Sequence, residues 1–358
     1  MILCIFKKSD TQGGGGIICN RNRQILSDIT DTAIVYVQSA ETALGKVAQA
    51  CFSKANPVGT RKSYREICER IQEFRGDAVY LDSSLFGCFA KEAKQRGLKV
   101  ITFFHNIEAV YFKKVRKIFI PWIKKSEKNA IRYSDKIILL NKRDKKDFEK
   151  TYGKLAEKNI NKVSLIPVTF QDKLLPEEKI KYSDLSQKER PTGIFVGSDF
   201  IYNVNGVNWF VANVAERLDM DFRIVGRGLG KYRETLEREN VQVIDENFDI
   251  KKEIMQADFY FNPVFEGSGM KVKTAEALMY GKSVFSTREG WEGYDLDYEK
   301  AGGLCESADE FICKLKKAGS LGKLRPFNAY SREIYEKQYS DACAKVAFDT
   351  ALKQVFQN

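Results

Sequence analysis

Short apolar runs, each ending in small or polar residues and each followed by a helical pattern, recur along the whole chain, and they constrain the fold more than any other feature. Residues 2–6 lead into Gly13-Gly14-Gly15-Gly16, residues 78–81 end at Asp82-Ser83-Ser84, and residues 100–104 end at His105-Asn106. Runs at 33–37, 136–140 and 163–166 complete a first series, with helical spacing over 64–74 and 86–96. Residues 171–191 are polar and carry two prolines, which reads as a linker. The alternation then restarts. Residues 193–196 end in Gly197-Ser198 and residues 222–225 in Gly226-Arg227-Gly228, and further runs lie at 241–244, 259–262 and 283–286. Helical patterns fall at 207–218, 231–239, 250–257 and 309–317, and residues 329–357 read as one long terminal helix. Strands that are apolar throughout are buried on both faces, so the pattern predicts parallel sheets covered by helices, an α/β fold. The expected organisation is a first domain over 1–170, a linker over 171–191, a second domain over 192–326, and a terminal segment over 327–358 that packs back on the first domain.

Composition narrows the function. With 358 residues and 43% hydrophobic content, the chain can bury two medium-sized cores. No apolar run reaches the roughly 18 residues of a membrane span, and the start, MILCIFKKSD, is charged too soon for a signal peptide. Eight cysteines without a C-x-x-C pair, beside a single histidine, give no expectation of a Cys/His zinc site; they read as reduced, mostly buried thiols. The net charge of +11 allows an acidic partner, which is a nucleic acid, an anionic lipid or a phosphorylated substrate. Residues 109–150 hold 14 Lys/Arg against 5 Asp/Glu, so most of the excess sits there.

The segment 263–293, PVFEGSGMKVKTAEALMYGKSVFSTREGWEG, carries the chemistry. It reads as a Gly-rich loop (Glu266 to Gly269), a helix over 270–280 stopped by Gly281, a strand and a second loop. Lys271 and Lys273 fall in the first helical turn, where the helix already presents about half a positive charge. Two like charges after a glycine loop make sense where an anion binds, and a diphosphate is the natural candidate.

Set beside its neighbours, this segment resembles the donor site of retaining glycosyltransferases of group 1, also called family 4. The stretch 195–210, FVGSDFIYNVNGVNWF, looks like the family's strand, Gly-Ser turn and Gly-Val-x-Trp-Phe helix, and FRIVGRG (222–228) looks like its next strand and loop. Residues 257–293 resemble the donor motif, and ITFFHNIE (101–108) resembles the first-domain His-Asn-x-Glu loop. The resemblance implies the GT-B architecture: two doubly wound, Rossmann-like domains facing across a cleft.

It also implies residue roles. The donor, a UDP- or GDP-sugar, is a substrate and not a cofactor. Ser268, Gly269 and Met270 would offer N–H groups to its diphosphate, with Lys271 and Lys273 neutralising charge that a metal neutralises in other folds. Glu276 would accept bonds from ribose hydroxyls, and Arg227 would lie beside the base. Ser198 and Asn203 stand where many members grip phosphate with Arg and Lys. His105 would contact the donor sugar or support catalysis, and Gly14 and Gly15 would let the backbone pass close to phosphate or acceptor. The family's paired glutamates are separated by seven residues, whereas nine separate Glu266 from Glu276. Ser268 takes the in-register place, so Glu266 and Ser268 compete for the sugar-facing role.

The basic stretch 111–132 reads in two ways. It is a solvated helix with a buried apolar stripe, or a surface segment lying on an anionic membrane and bringing the enzyme to a lipid-linked acceptor. No nucleic-acid-binding module accompanies the charge, so no nucleic-acid partner is expected. The expected activity is metal-independent transfer of a hexose-type sugar to a glycan or lipid-linked glycan, in bacterial polysaccharide or glycoconjugate synthesis, in the cytoplasm or at its membrane face. The rival readings are a sugar-nucleotide epimerase on the same plan and a non-catalytic partner subunit that keeps the donor fold.

Overall fold

In the computed structural model, residues 1–8, 14–40, 59–115 and 117–357 are described. The chain forms two compact units, Met1–Pro167 together with Ala344–Asn358, and Val168–Cys343.

The first unit is built on β1 (Ile2–Lys7), β2 (Thr32–Val37), β3 (Ala78–Leu81), β4 (Lys99–Phe104), β5 (Lys136–Leu139) and β6 (Val163–Leu165). All pair in parallel, in the order β2-β1-β3-β4-β5-β6. The central strands are buried on both faces, as their uninterrupted apolar runs require. One face packs Leu3, Ile5, Val79 and Leu81 against Ile67 and Ile71 of the helix Arg61–Glu73 and against Phe86 and Phe89. Each such side chain contributes roughly 1.5–3 kcal/mol by leaving water. Thr60 starts the first of these helices by accepting the Ser63 N–H through its hydroxyl. The helices Gly87–Gln95 and Ile120–Tyr133 touch so closely that a Cβ on Gly87 would lie 1.9 Å from the Ser126 carbonyl oxygen. On the other face, Phe348 from the end of the chain stacks on Phe103 and meets the edge of Tyr80.

The second unit holds β7 (Thr192–Val196), β8 (Asp221–Val225), β9 (Val241–Ile244), β10 (Phe259–Asn262), β11 (Ser283–Ser286) and β12 (Gly302–Leu304). Again all pair in parallel, in the order β12-β11-β10-β7-β8-β9. Its core is aromatic. Phe210 stacks on Phe261 at 4.3 Å between ring centroids, and Phe195, Phe222 and Phe259 close around them.

Three expectations need correction. Residues 171–191 are not a spacer. The second unit begins at Val168, and this stretch is stitched into it: Asp172 pairs with Arg332, the helix Pro176–Ser183 reaches Glu336 and Lys251, and Gln187 bonds Gly319 and Leu324. Its polar residues are spent on these partners, which sequence alone cannot distinguish from solvation. The terminal segment is not one helix either. It runs Ala329–Ile334, widens into a π-turn at Tyr335–Tyr339, and restarts as Asp341–Phe356. Phe170 causes the break by donating its N–H to the Tyr339 carbonyl and accepting the Tyr335 hydroxyl. Only Ala344 onward belongs to the first unit. The four-glycine run, finally, is a helix start and not a loop, since Gly14–Ile29 is helical; Gly13 lies outside the described residues.

Candidate functional site

In each sheet the chain leaves its first strand on one side and returns on the other, between β1 and β3 in the first unit and between β7 and β10 in the second. Open α/β sheets bind ligands at the carboxyl ends of the strands flanking such a reversal. Most of the residues singled out in the sequence lie on the turns and helices that follow these strand ends.

In the second unit the loop 263–271 follows β10 and delivers the chain into the helix Val272–Met279, with Lys271 at the N-cap. The helix is shorter than expected, so Lys271 precedes it. Lys271 Nζ lies 2.6 Å from Glu289 Oε1, with both side chains largely buried, and also donates to the Gly269 carbonyl at 3.1 Å. Lys271 follows β10 and Glu289 follows the adjacent β11, so the register Asn262↔Ser286 brings them together. Tyr294 donates its hydroxyl to the Lys271 carbonyl at 2.7 Å and pins the turn. Gly269 at φ +62° adopts a conformation that favours glycine. The N–H groups of Ser268 and Met270 bond no other described residue.

Lys273 enters from the first turn. Its Nζ donates to Asn203 Oδ1 at 2.6 Å and lies 4.2 Å from the centre of the Phe195 ring. Asn203 in turn donates to the Ser198 carbonyl at 3.0 Å. The turn after β7 is thus tied to the donor-motif helix. Burial, with Lys271 nearby, lowers the Lys273 pKa to about 7. One turn on, the Glu276 carboxylate makes no hydrogen bond or ion pair among the described residues. Burial raises its carboxyl to about 7, against a smaller pull from Lys173. The helix-face pair between Lys273 and Glu276 that the spacing allows is not made.

Arg227 is exposed, and its guanidinium bonds no described residue. Glu266 is exposed as well and lines an open hollow of about 280 Å³ with Tyr202, Asn205, Gly206, Trp209 and Phe265. Ser268 is the half-buried member of the competing pair. Met270 is buried, with its sulfur accepting the Val168 N–H at 3.4 Å.

In the first unit His105 follows β4. Its Nε2 lies 3.0 Å from Asp82 Oδ2 and 2.9 Å from the Asp82 carbonyl, and Phe103 meets its ring edge-on at 4.8 Å. Asp82 is buried and takes three more bonds, from the Cys19 thiol at 2.8 Å, Asn22 Nδ2 at 2.7 Å and the Tyr80 hydroxyl at 2.7 Å. Desolvation works against a charged His105, but Asp82 outweighs it and raises the imidazole pKa. Beyond it, the buried Glu127 carboxylate accepts the N–H groups of Glu108 and Ala109 and the hydroxyls of Ser84 and Tyr152, which fixes the His105 loop. Gly15 is exposed at the start of its helix, and a Cβ there would meet open space, so no close approach within this unit demands glycine.

Sequence reasoning missed Glu289, Asp82 and Cys19. Asp82 closes an apolar run just as His105 does, a signal present in the sequence. Glu289 and Cys19 carried none, because strand register and helix phase alone bring them in.

Residues 190–318 match the family model described as Glycosyl transferases group 1. Among solved structures, a sucrose-phosphate synthase from Thermosynechococcus elongatus is similar at a TM-score of 0.71 and 12% identity, over 100% of this chain and 99% of that one. Anabaena HepE in complex with UDP gives 0.71 at 11% identity, over 98% and 99%. A glycosyltransferase from Rickettsia africae gives 0.63 at 15% identity, over 100% and 99%. No curated protein sequence matches the chain. The fold is GT-B, and the group 1 match covers the second unit's residues 190–318.

Proposed function

We propose that the chain is a group 1 glycosyltransferase that takes a nucleotide-sugar donor in its second unit and transfers the sugar, with retention of anomeric configuration, to a glycan or lipid-linked glycan. The observation that carries the reading is Glu276. A half-buried carboxylate with no side-chain hydrogen bond or ion pair among the described residues, one turn inside a helix preceded by the Ser268 and Met270 N–H groups and by Lys271, suits a ribose beside a diphosphate. HepE, similar over nearly its whole length, has been solved with UDP and with UDP-glucose, which supports a uridine donor. Lys271 and Lys273 would balance the leaving diphosphate, with no metal ion required for that charge. His105 is the proposed catalytic side chain of the first unit. Isothermal titration with UDP-, GDP-, ADP- and dTDP-sugars tests the reading. Micromolar binding of at least one is expected, and millimolar or weaker binding of all four would overturn it.

The segment 111–132 supports a peripheral site of action. No described helix is long and apolar enough to cross a membrane. Ile118 is 73% and Trp122 39% exposed beside the exposed Lys117, Lys124 and Lys125; Arg116 lies outside the described residues. Exposed apolar side chains interleaved with lysines suit an anionic lipid surface at the cytoplasmic face. Co-sedimentation with anionic but not neutral liposomes at low salt is expected, and equal sedimentation with both would reject this location.

A further inference from the structure

The cluster at the carboxyl edge of the first sheet has a chemistry that sugar transfer does not use. Cys19 Sγ, Asp82 Oδ2 and His105 Nε2 converge from a helix and two strand ends, at 2.8 Å (sulfur to oxygen), 3.0 Å (nitrogen to oxygen) and 3.9 Å (sulfur to nitrogen). We propose that these three side chains form a binding site for a zinc ion, with the fourth position open to water, and that occupancy takes His105 out of service.

The donor set is the first argument. A thiolate, an imidazole and a carboxylate are the three side-chain ligands zinc takes, and three protein ligands with one open position is the arrangement of a reactive rather than a sealed site. Around a tetrahedral ion with bonds of about 2.0–2.3 Å, the ligand atoms stand roughly 3.3–3.6 Å apart. The observed separations bracket that value, so shifts of about half an ångström suffice. The second argument is the surrounding shell. Asn22 and Tyr80 both hold the other Asp82 oxygen, and Arg21 holds the Asn22 amide oxygen at 2.7 and 3.0 Å. Only Oδ2 is left to coordinate, and it is aimed at the other two ligands. Partners of this kind orient metal ligands and set affinity. The third argument is access. Cys19 is half-buried and the His105 side chain is 17% exposed, so an ion can reach the cluster from solvent.

Two protons now stand where the ion would sit. The Cys19 thiol donates one to Asp82, and the other sits on His105 Nε2, which faces the Asp82 carbonyl and Oδ2. On binding, the thiol proton is released to solvent. The Nε2 proton leaves, to solvent from the charged ring or to Nδ1 in the neutral one, so that Nδ1 is protonated and the Nε2 lone pair faces the ion. No redox change and no other reactant is involved. The ring is thereby fixed in one tautomer and its link to the Asp82 carbonyl is broken. This is how zinc would shut off the role proposed for His105. The binding itself stands independently of the donor reading.

The chain contains a single histidine, which makes the test direct. In the full chain labelled with ¹⁵N-histidine, added zinc should move the Nε2 resonance to a metal-bound position and leave a proton on Nδ1. Cobalt alone, added to unlabelled protein, should give the near-ultraviolet thiolate-to-cobalt charge-transfer band, and zinc should displace it. Cys19→Ser should abolish the band while leaving the apo melting curve near that of the parent. Asn22→Ala, which touches no metal, should weaken cobalt binding about 10- to 100-fold. An unmoved Nε2 resonance under excess zinc, or a cobalt band that persists in Cys19→Ser, would overturn the proposal.

Discussion

Lys271 and Glu289 form an ion pair 2.6 Å long, each side chain no more than 15% exposed, at the mouth of the loop that precedes the donor-motif helix. The lysine's charge is therefore balanced before any donor arrives. On the proposed donor reading an incoming diphosphate would share or displace Glu289, so the two residues should respond oppositely to substitution. Lys271→Ala should weaken UDP binding about tenfold or more, the loss of a charge-assisted bond of about 1.5–3 kcal/mol. Glu289→Gln should leave Lys271 freer and tighten UDP binding a few-fold, with steeper salt dependence. Calorimetry at two ionic strengths reads both. Equal weakening by both substitutions would mean that Glu289 positions Lys271 and does not compete with the ligand.

Glu127 carries a comparable burden in the first unit. Its carboxylate is buried, and burial raises its pKa even though four donors surround it. Glu127→Ala strands the N–H groups of Glu108 and Ala109 and the hydroxyls of Ser84 and Tyr152. A loss of about 3–5 kcal/mol is expected, of the size seen when a buried polar network is broken. Glu127→Gln keeps one accepting oxygen and should lose roughly half as much. Urea unfolding followed by circular dichroism distinguishes the two.

The fold was legible in the sequence to the extent that its strands are apolar throughout. The runs at 78–81 and 259–262 are strands with the expected bounds, because both faces are buried and nothing else fits them. β12 escaped notice because Gly302-Gly303-Leu304 has almost no side chain to show a pattern. The polar stretch 171–191 misled for the opposite reason, since hydrogen bonds to distant partners leave no periodic trace. The same holds for the site. Lys271, Lys273 and Glu276 follow one another on a motif and could be read in order. Glu289 meets Lys271 only through the pairing of β10 with β11, and Cys19 meets Asp82 only through the phase of a helix whose glycine start disguised it.

Gly226 closes the turn after β8 at φ +156°, and a Cβ on it would lie 1.6 Å from the Gly197 carbonyl oxygen. That contact is with backbone and cannot be relieved by rotating a side chain. Gly226→Ala should push apart the turns after β7 and β8, costing more than about 3 kcal/mol and weakening nucleotide binding with it. Gly15→Ala is the control. It lies in a helix, meets nothing within 4 Å, and should gain about 0.5–1 kcal/mol. Thermal melts of the two variants should move in opposite directions.

Lys273 and Glu276 sit on the same helix with pKa values both displaced to about 7, one from above and one from below. The linkage signs follow. Between pH 7 and 10.5 the unfolded chain holds the Lys273 proton more tightly than the folded one, so stability from this group rises with pH. Between pH 4.5 and 7 the folded chain holds the Glu276 proton more tightly, so stability from that group falls as pH rises. On the proposed donor reading a bound diphosphate would favour charged Lys273, and ribose hydroxyls would favour ionised Glu276. At pH 8 Glu276 is already ionised and Lys273 largely neutral, so UDP binding should take up protons. At pH 6 Lys273 is already charged and Glu276 largely protonated, so binding should release them. Calorimetry in two buffers of different ionisation enthalpy gives the proton count directly, and its sign should reverse near pH 7. Lys273→Met should remove the uptake at pH 8, and Glu276→Gln the release at pH 6. A proton count of the same sign at both pH values in the unsubstituted protein would show that the two side chains do not face the ligand together.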